Sequence, residues 1–327
     1  VIKKMSKRKL SDQQKRRVQQ KRQTDDIKSD SLLLTGLVIT NFGKRLLVES
    51  ESGALFNCAV RQHLGKLVAG DRVLWQTDVE AGTGVVSEVL TRHSELSRPG
   101  FRGQTRMVAA NIDVIGIVAA VEPGIHPDMI DRYLVAAAQL NIPAAIIINK
   151  IDLVPDDETW ESIAELLLPY EELGLDLIPV SSQLEDGLEE LEAFLNNQTS
   201  VLVGPSGAGK SSLINTLIPD IDIRVGALSD ATGLGTHTTT NSILYHLAKG
   251  GNIIDSPGVR LFSPTPCDLT ELESYYPDFR PFLGQCKFHN CTHTNEPDCA
   301  IRQAVENGDI AESRYHSFQR LMTEFKR

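Results

Sequence analysis

Residues 199–218 read TSVLVGPSGAGKSSLINTLI, and few segments of this length leave a chain so little conformational choice. An apolar run of strand composition breaks into Gly204-Pro205-Ser206-Gly207-Ala208-Gly209-Lys210-Ser211-Ser212, then continues as a helical stretch. The three glycines let the backbone curl until successive N–H groups point inward, and the helix adds the partial positive charge of its N-terminus. This is the Gly-x4-Gly-Lys-Ser pattern of a phosphate-binding loop in the context it needs, a strand before and a helix after. In such a loop Lys210 reaches the outer phosphates of a nucleoside triphosphate, and the Ser211 hydroxyl ligates Mg2+.

The surroundings predict the sheet that such a loop requires. DVIGIVAAV, AAIIINK, DLIPVSS, TSVLVG, SILYHL and NIIDS are strand-like runs, with helical stretches expected around 128–140 and 157–172. That alternation predicts a mostly parallel sheet covered by helices.

Two further motifs of this region concern the nucleotide. NIIDSPG is an apolar strand ending in Asp255-x-x-Gly258, where Asp255 can hold Mg2+ through water and the Gly258 N–H can sense a γ-phosphate. Upstream of the phosphate loop, Asn149-Lys150-Ile151-Asp152 follows AAIII. A carboxylate at Asp152 accepts from both N1–H and the N2 amino group of guanine, whereas adenine presents a repelling lone pair at N1; buried mismatches of this kind discriminate strongly. Asn149 can bond the other side of the ring, and the Lys150 stem can cover its face. PVSSQ (179–183) offers backbone N–H groups of Ser181 and Ser182 for guanine O6. The order is therefore base reader, base loop, phosphate loop, Thr-rich loop, Asp-x-x-Gly, a circular permutation of the usual GTPase order. Strand-end loops at one sheet edge keep their places in space whatever their order along the chain.

Between phosphate loop and Asp-x-x-Gly lies SDATGLGTHTTTN, in which Thr238 or Thr239 can supply a second Mg2+ hydroxyl, Thr239 being preferred. The residue after Gly258 is Val259, an aliphatic side chain that cannot orient water, so intrinsic hydrolysis is expected to be slow. His237 in the Thr-rich loop is the substitute within reach, acting when a partner orders the loop. Lys210, His237 and Thr239 form the expected catalytic set.

On either side of this region the texture changes. Residues 32–98 contain five short β-type runs punctuated by Gly43, Gly53, Gly70 and Gly82, which suit a small closed barrel, OB-type first and SH3-like second. Arg45, Arg61, Lys66 and Arg72 can form a nucleic-acid face or an ordinary solvated one, and Cys58 alternates into the barrel as a small hydrophobe. SRPGFRGQTRM (97–107) reads as an aperiodic linker. From Ser263 onward Pro-, Cys- and Tyr-rich loops precede a terminal helical segment at about 300–326. The expected units are thus an arm at 1–31, a barrel at 32–98, a permuted GTPase domain at 99–262 and a C-terminal module at 263–327.

Charge is divided unevenly among them. The formal net charge is −10, yet residues 1–28 hold eleven Lys or Arg against three Asp. That is about +8 on the arm and roughly −18 on the remainder, a division that suits an arm binding a phosphate backbone, the other reading being a solubilising tail. The opening residues are polar and basic without an apolar signal core, so a cytoplasmic protein is expected, with Met5 as its native start. No apolar run approaches the roughly 18 residues of a membrane span.

CKFHNCTHTNEPDC supplies Cys286, Cys291, His293 and Cys299, three thiolates and an imidazole that satisfy a closed tetrahedral Zn2+ site. His289 is the alternative imidazole. Such a metal anchors a loop-rich module too poor in core to fold unaided.

Taken together, these residues resemble the ribosome small-subunit-dependent GTPase A family of circularly permuted bacterial GTPases. The likeness spans nearly the whole chain: barrel, Asn149-Lys150-Ile151-Asp152, Gly204 to Ser212, GLGTHTTT, DSPG and the Cys3His cluster in order. Ser182 stands where the base loop more often has Ala. The resemblance implies a GTPase that binds the small ribosomal subunit and ribosomal RNA late in maturation. It further implies stimulation by that subunit, release of assembly factors and His237 as catalytic residue. The chain is expected to act as a monomer without a membrane. The competing readings are an RNA-binding module for which GTP is a conformational ligand, and a translation factor acting on mature ribosomes.

Overall fold

The computed structural model describes residues 33–43, 45–78, 83–99, 105–218, 241–256 and 262–326. The basic arm, His237, Thr238, Thr239 and Gly258 lie outside them. Strands β1 (Leu34–Asn41), β2 (Leu46–Ser50), β3 (Leu55–Val60), β4 (Arg72–Asp78) and β5 (Thr83–Val89) pair in the order β1-β2-β3-β5-β4, and β4 returns to β1. The sheet is thereby closed, with β3 and β5 parallel, which is the OB-type barrel. Its core is built on Trp75, which is fully buried and donates its indole N–H to the Thr35 carbonyl at 3.2 Å. Cys58 packs there too, and burial pushes its thiol up to about 12, so it behaves as the small hydrophobe expected.

The aperiodic stretch read as a linker instead contributes to a hairpin, β6 (Glu95–Pro99) with β7 (Thr105–Ala110). Leu96, Val108, Ala109 and Ala110 are buried and Ala109 bridges to Ala69, so the hairpin wedges against the barrel. Small and mixed residues on two-residue spacing are too few here for the alternation to be legible.

Strands β8 (Val114–Ala120), β9 (Ala144–Asn149), β10 (Leu177–Val180), β11 (Thr199–Val203), β12 (Ile243–His246) and β13 (Asn252–Asp255) form a sheet in the order β10-β9-β8-β11-β13-β12. All pairs are parallel except β12 with β13. Every residue of β8 is buried, as a central strand covered on both faces must be. Helices α1 (Pro127–Gln139) and α2 (Asp157–Glu172) cover one face, packing Ile130, Tyr133, Leu167 and Tyr170 on Ile115, Ile117, Ile146 and Ile148. Helices α3 (Glu189–Leu195) and α4 (Lys210–Leu217) cover the other, packing Leu191, Leu195, Leu213 and Leu217 on Val118, Ile147 and Leu202. Proline at the first position starts α1, and the Asp156 carboxylate caps α2 by accepting from the Thr159 N–H at 2.8 Å.

The sheet has two edges. At one, β10 carries Pro179, paired with Ile148 of β9. At the other, β12 meets the barrel through the pair Thr40–Ile243, reinforced by His246 Nε2 at 2.7 Å from Glu49 Oε2. The C-terminal module contains α5 (Leu269–Ser274), α6 (Ala300–Asn307) and α7 (Glu312–Phe325), packed around Tyr276, Phe279 and Phe318. The single terminal helical segment expected from sequence is two helices, because Gly308 at φ +83° turns the chain between them. Among the described residues no helix is long and apolar enough to cross a membrane.

Candidate nucleotide site and metal centre

The parallel strands end at one edge, and their ends collect the motifs. After Val203 the chain turns through Gly204, Gly207 and Gly209, all at positive φ, before entering α4 at Lys210. Glycine is required twice for space as well. A Cβ at Gly204 would stand 2.4 Å from the Val118 carbonyl oxygen, and one at Gly209 would stand 2.3 Å from Asn149 Nδ2. The Lys210 ammonium lies over the loop mouth, donating to the carbonyls of Gly204 at 2.8 Å and Pro205 at 2.7 Å. Ser206 and Gly207 are exposed and Ala208 is buried, so the loop presents its crown outward from an anchored base. Ser211 and Ser212 occupy the exposed first turn of α4, and Asp255 is exposed at the end of β13, the strand beside β11.

The upstream base motif sits directly on this loop. Asn149, 2% exposed at the end of β9, donates from Nδ2 to the Ala208 carbonyl at 2.8 Å and accepts the Lys150 N–H at 2.8 Å. Lys150 turns the chain in the left-handed region, and its ammonium spans to the carbonyls of Gly207 at 2.9 Å and Glu122 at 2.7 Å. The bonds to Ala208 and Gly207 fix the base reader against the phosphate loop, a role for Asn149 and Lys150 beyond the one read from the sequence, and the Glu122 carbonyl is a partner the sequence did not mark. Ile151 packs into the core beneath α1 and α2, anchoring the turn that carries Asp152. Asp152 is partly exposed and accepts a hydrogen bond from the Ser181 hydroxyl, which is fully buried. The same Ser181 oxygen accepts the Gln183 N–H at 3.0 Å, so the base loop and the carboxylate are oriented together. A carboxylate so held can accept two parallel N–H bonds from guanine. Ser182 is partly exposed beside it.

The four basic barrel residues are all exposed but do not share one face. Lys66 joins Arg106, Asn41 and Gln62 around a cleft of about 570 Å3 that ends at Asn241, Ser242 and Ser256. Arg72 lines a different groove, beside Glu49, Glu51 and Asp113.

In the C-terminal module the ligand atoms of Cys286, Cys291, His293 and Cys299 all lie within 4.8 Å of one another. His293 Nδ1 faces Cys286 Sγ at 3.5 Å and Cys299 Sγ at 3.3 Å, while its Nε2 is 3.0 Å from Glu273 Oε1. A carboxylate on the far imidazole nitrogen is the usual means of orienting a ligating histidine. The donor set fits a structural Zn2+, and His293 rather than the exposed His289 completes it. Glu296 gathers the ligand loop by accepting from the Thr292 hydroxyl and N–H and from the Thr294 N–H. These bonds, the hydroxyl foremost, hold its carboxyl well below the usual carboxylate range. The four residues that sequence spacing proposes as ligands are thus brought together. Glu273 was missed because it is twenty residues from His293 with no local pattern to mark it. Stripping the metal with a chelator, or Cys291→Ser, is expected to remove one metal per chain and unfold this module, a loss on the order of 10 kcal/mol. Metal content and the unfolding midpoint check this; metal-free protein with an unchanged midpoint would refute it.

Comparison with known proteins gives a consistent result. The sequence model of the family described as RsgA GTPase matches residues 89–264. The small ribosomal subunit biogenesis GTPase RsgA 1 of Vibrio vulnificus is 45% identical over 323 residues, covering 96% of this chain and 91% of that protein. The small ribosomal subunit biogenesis GTPase RsgA of Chromohalobacter salexigens is 44% identical, covering 97% and 98% respectively. Among solved structures, YjeQ from Thermotoga maritima superposes with a TM-score of 0.74 at 33% identity, covering 90% of this chain and 99% of that one. YloQ, described as a circularly permuted GTPase, superposes with a TM-score of 0.73 at 29% identity, covering 91% and 97%.

Proposed function

The chain belongs to the RsgA GTPase family, and on that premise we propose that it hydrolyses GTP while bound to the small ribosomal subunit during that subunit's maturation. The observation that carries the nucleotide assignment is the 2.8 Å bond from Asn149 Nδ2 to the Ala208 carbonyl. It joins the guanine reader to the phosphate loop in one site despite their inverted order in the chain.

In this reading Asp152 and the base loop of Ser181 and Ser182 select guanine, and Asn149, Lys150 and Ile151 fix the reader. Gly204 to Ser212 cradles the phosphates, with Lys210 stabilising charge on the β- and γ-oxygens. Ser211, Asp255 and Thr239 would hold Mg2+, which supplies charge neutralisation at the phosphates when bound. Gly258 senses the γ-phosphate, and His237 orients the attacking water in place of the absent glutamine. Cys286, Cys291, His293 and Cys299 hold a structural Zn2+. The basic arm, Lys66 and Arg106 supply contacts for ribosomal RNA, whose phosphates are drawn by their charge. The chain acts as a cytoplasmic monomer, and hydrolysis releases it and its companion assembly factors from the subunit.

The reading is tested by GTP turnover of the purified protein alone, with equimolar small subunits and with equimolar large subunits, at two salt concentrations. Turnover is expected to rise at least about tenfold with small subunits only, the rise shrinking at higher salt. His237→Ala is expected to abolish that rise with GTP affinity unchanged. Nucleotide-dependent subunit binding without any stimulation would instead favour an RNA-binding module that uses GTP as a conformational ligand.

A further inference from the structure

A folded chain hides most of its aromatic surface, since each ring carries a large apolar area. Among the described residues every other Phe, Tyr and Trp is buried or half-buried, and Phe288 alone is exposed, at 41%. The other large apolar side chains left exposed are aliphatic, and none of them lies in the C-terminal module. Phe288 also stands outside the core packed around Tyr276, Phe279 and Phe318. Its ring therefore does little to hold the module together.

The turn that carries the ring is held firmly. Phe288 lies between Cys286 and Cys291, two of the four candidate metal ligands. Its carbonyl accepts the Cys291 N–H at 3.1 Å, closing the turn, and the Lys287 N–H just before it donates to the Asp298 carbonyl at 3.2 Å. The Lys287 ammonium lies 2.6 Å from an Asp298 carboxylate oxygen and stands over the Phe288 ring, 5.9 Å from its centre. Asp298 in turn precedes Cys299, a third candidate ligand. The ring is thus presented on a backbone fixed from both sides, with little freedom left to lose when something binds it. Its neighbours Gln285, Lys287, His289 and Asn290 are polar and exposed.

A solitary, rigid ring among polar neighbours fits one kind of partner better than another. A protein docks through a contiguous apolar patch within a polar rim, and this module offers no second large apolar side chain that is exposed. A nucleobase needs only the ring. Every base has a flat π-face, and stacking on an aromatic side chain is a common way of holding an unpaired base of RNA. We propose that Phe288 is a stacking platform for an unpaired RNA base, mounted on the metal-ligand turn. Lys287 keeps one face of the ring and the base takes the other. His289, left out of the ligand set, and Asn290 supply donors for sugar and phosphate oxygens of the same strand. The proposal deepens the function given above and rests on it for the source of the RNA, which is the small subunit.

The test uses the zinc-loaded full chain with a non-hydrolysable GTP analogue. Its dissociation constants for small subunits and for a labelled single-stranded RNA hexanucleotide are measured beside those of three variants. Phe288→Ala and Phe288→Leu are each expected to weaken both complexes roughly 10- to 100-fold, whereas Phe288→Trp, which keeps a stacking face, stays within about threefold of the unaltered protein. Zinc content and the unfolding midpoint are expected to be unchanged in all three. If Phe288→Ala loosens the turn, the contrast between Phe288→Leu and Phe288→Trp still decides. A leucine variant that binds like the unaltered protein would assign the ring to an apolar pocket, and an alanine variant that does so would leave it no part in binding; either result overturns the proposal. Photocrosslinking from Phe288→p-benzoylphenylalanine is expected to join the chain to RNA of the subunit, and an adduct with a ribosomal protein alone would also overturn it. A chain that small subunits neither bind nor stimulate, but whose hexanucleotide complex shows the expected order of variants, would refute the proposed function and leave the stacking standing. Stimulation by small subunits, with neither complex sensitive to residue 288, would do the reverse.

Discussion

Asp152→Asn is expected to weaken GDP and GTP binding by roughly a thousandfold while xanthine nucleotides gain. Two charge-assisted hydrogen bonds to the guanine edge, each worth about 2 kcal/mol, are lost or inverted, and about 4 kcal/mol is three decades in affinity. The Ser181 hydroxyl that donates to Asp152 can donate equally to an amide oxygen, so the loop stays oriented and the loss is confined to recognition. The amide nitrogen then faces the guanine amino group as donor against donor, but faces the xanthine C2 carbonyl as donor against acceptor. Titration calorimetry with GDP and with xanthosine diphosphate measures both sides of this exchange. A variant that binds GDP within about tenfold of the unaltered protein would remove Asp152 from the base-reading role.

Arg314→Ala is expected to destabilise the junction between α1 and the zinc module by about 3–5 kcal/mol, since it leaves the buried Asp131 carboxylate and the partly buried Asp278 carboxylate without a cation. Arg314 is 2% exposed and Asp131 is fully buried, and the guanidinium also lies over the Tyr276 ring at 4.8 Å. Burial pushes the Asp131 carboxyl upward, and Arg314 opposes that push. Without the guanidinium only the hydrogen bonds of Ser317 and Tyr170 oppose burial, and the carboxyl is expected to take up a proton on folding. The double variant Arg314→Ala with Asp131→Ala should therefore cost much less than the sum of the single changes. Calorimetric unfolding of the zinc-loaded chain provides the measure. Additive losses would mean that the two residues do not act as a pair.

The sequence determined some features of this molecule and left others open for definite physical reasons. The strands of both sheets were legible because strand runs such as AAIIIN and ALFNCAV end at Gly, Asn or charged residues, and the phosphate loop because its chemistry needs contiguous residues. The candidate metal ligands fall within fourteen residues for the same reason. The β6–β7 hairpin was not legible, because two of its four buried residues, Ala109 and Ala110, are alanines that carry little hydropathy contrast. The bonds from Asn149 and Lys150 to the phosphate loop, and those from Gln139 and Arg314 across the module junction, join residues more than fifty positions apart. Nothing in their local sequence marks them, since an exposed-looking Gln or Arg on a helix reads the same whether it meets solvent or a neighbour.

An open sheet leaves unpaired N–H and C=O groups along its outermost strands, and such rows can template pairing with another chain. Here one outermost strand, β10, carries Pro179, whose missing N–H shortens the row. The other, β12, is stoppered by the barrel through Thr40–Ile243 and the Glu49–His246 contact. The barrel therefore keeps the nucleotide-binding sheet from growing, and a chain trimmed of it would expose Ile243 and Tyr245 on a bare strand. Protection of the sheet from its own copies is divided between a single proline and a whole domain.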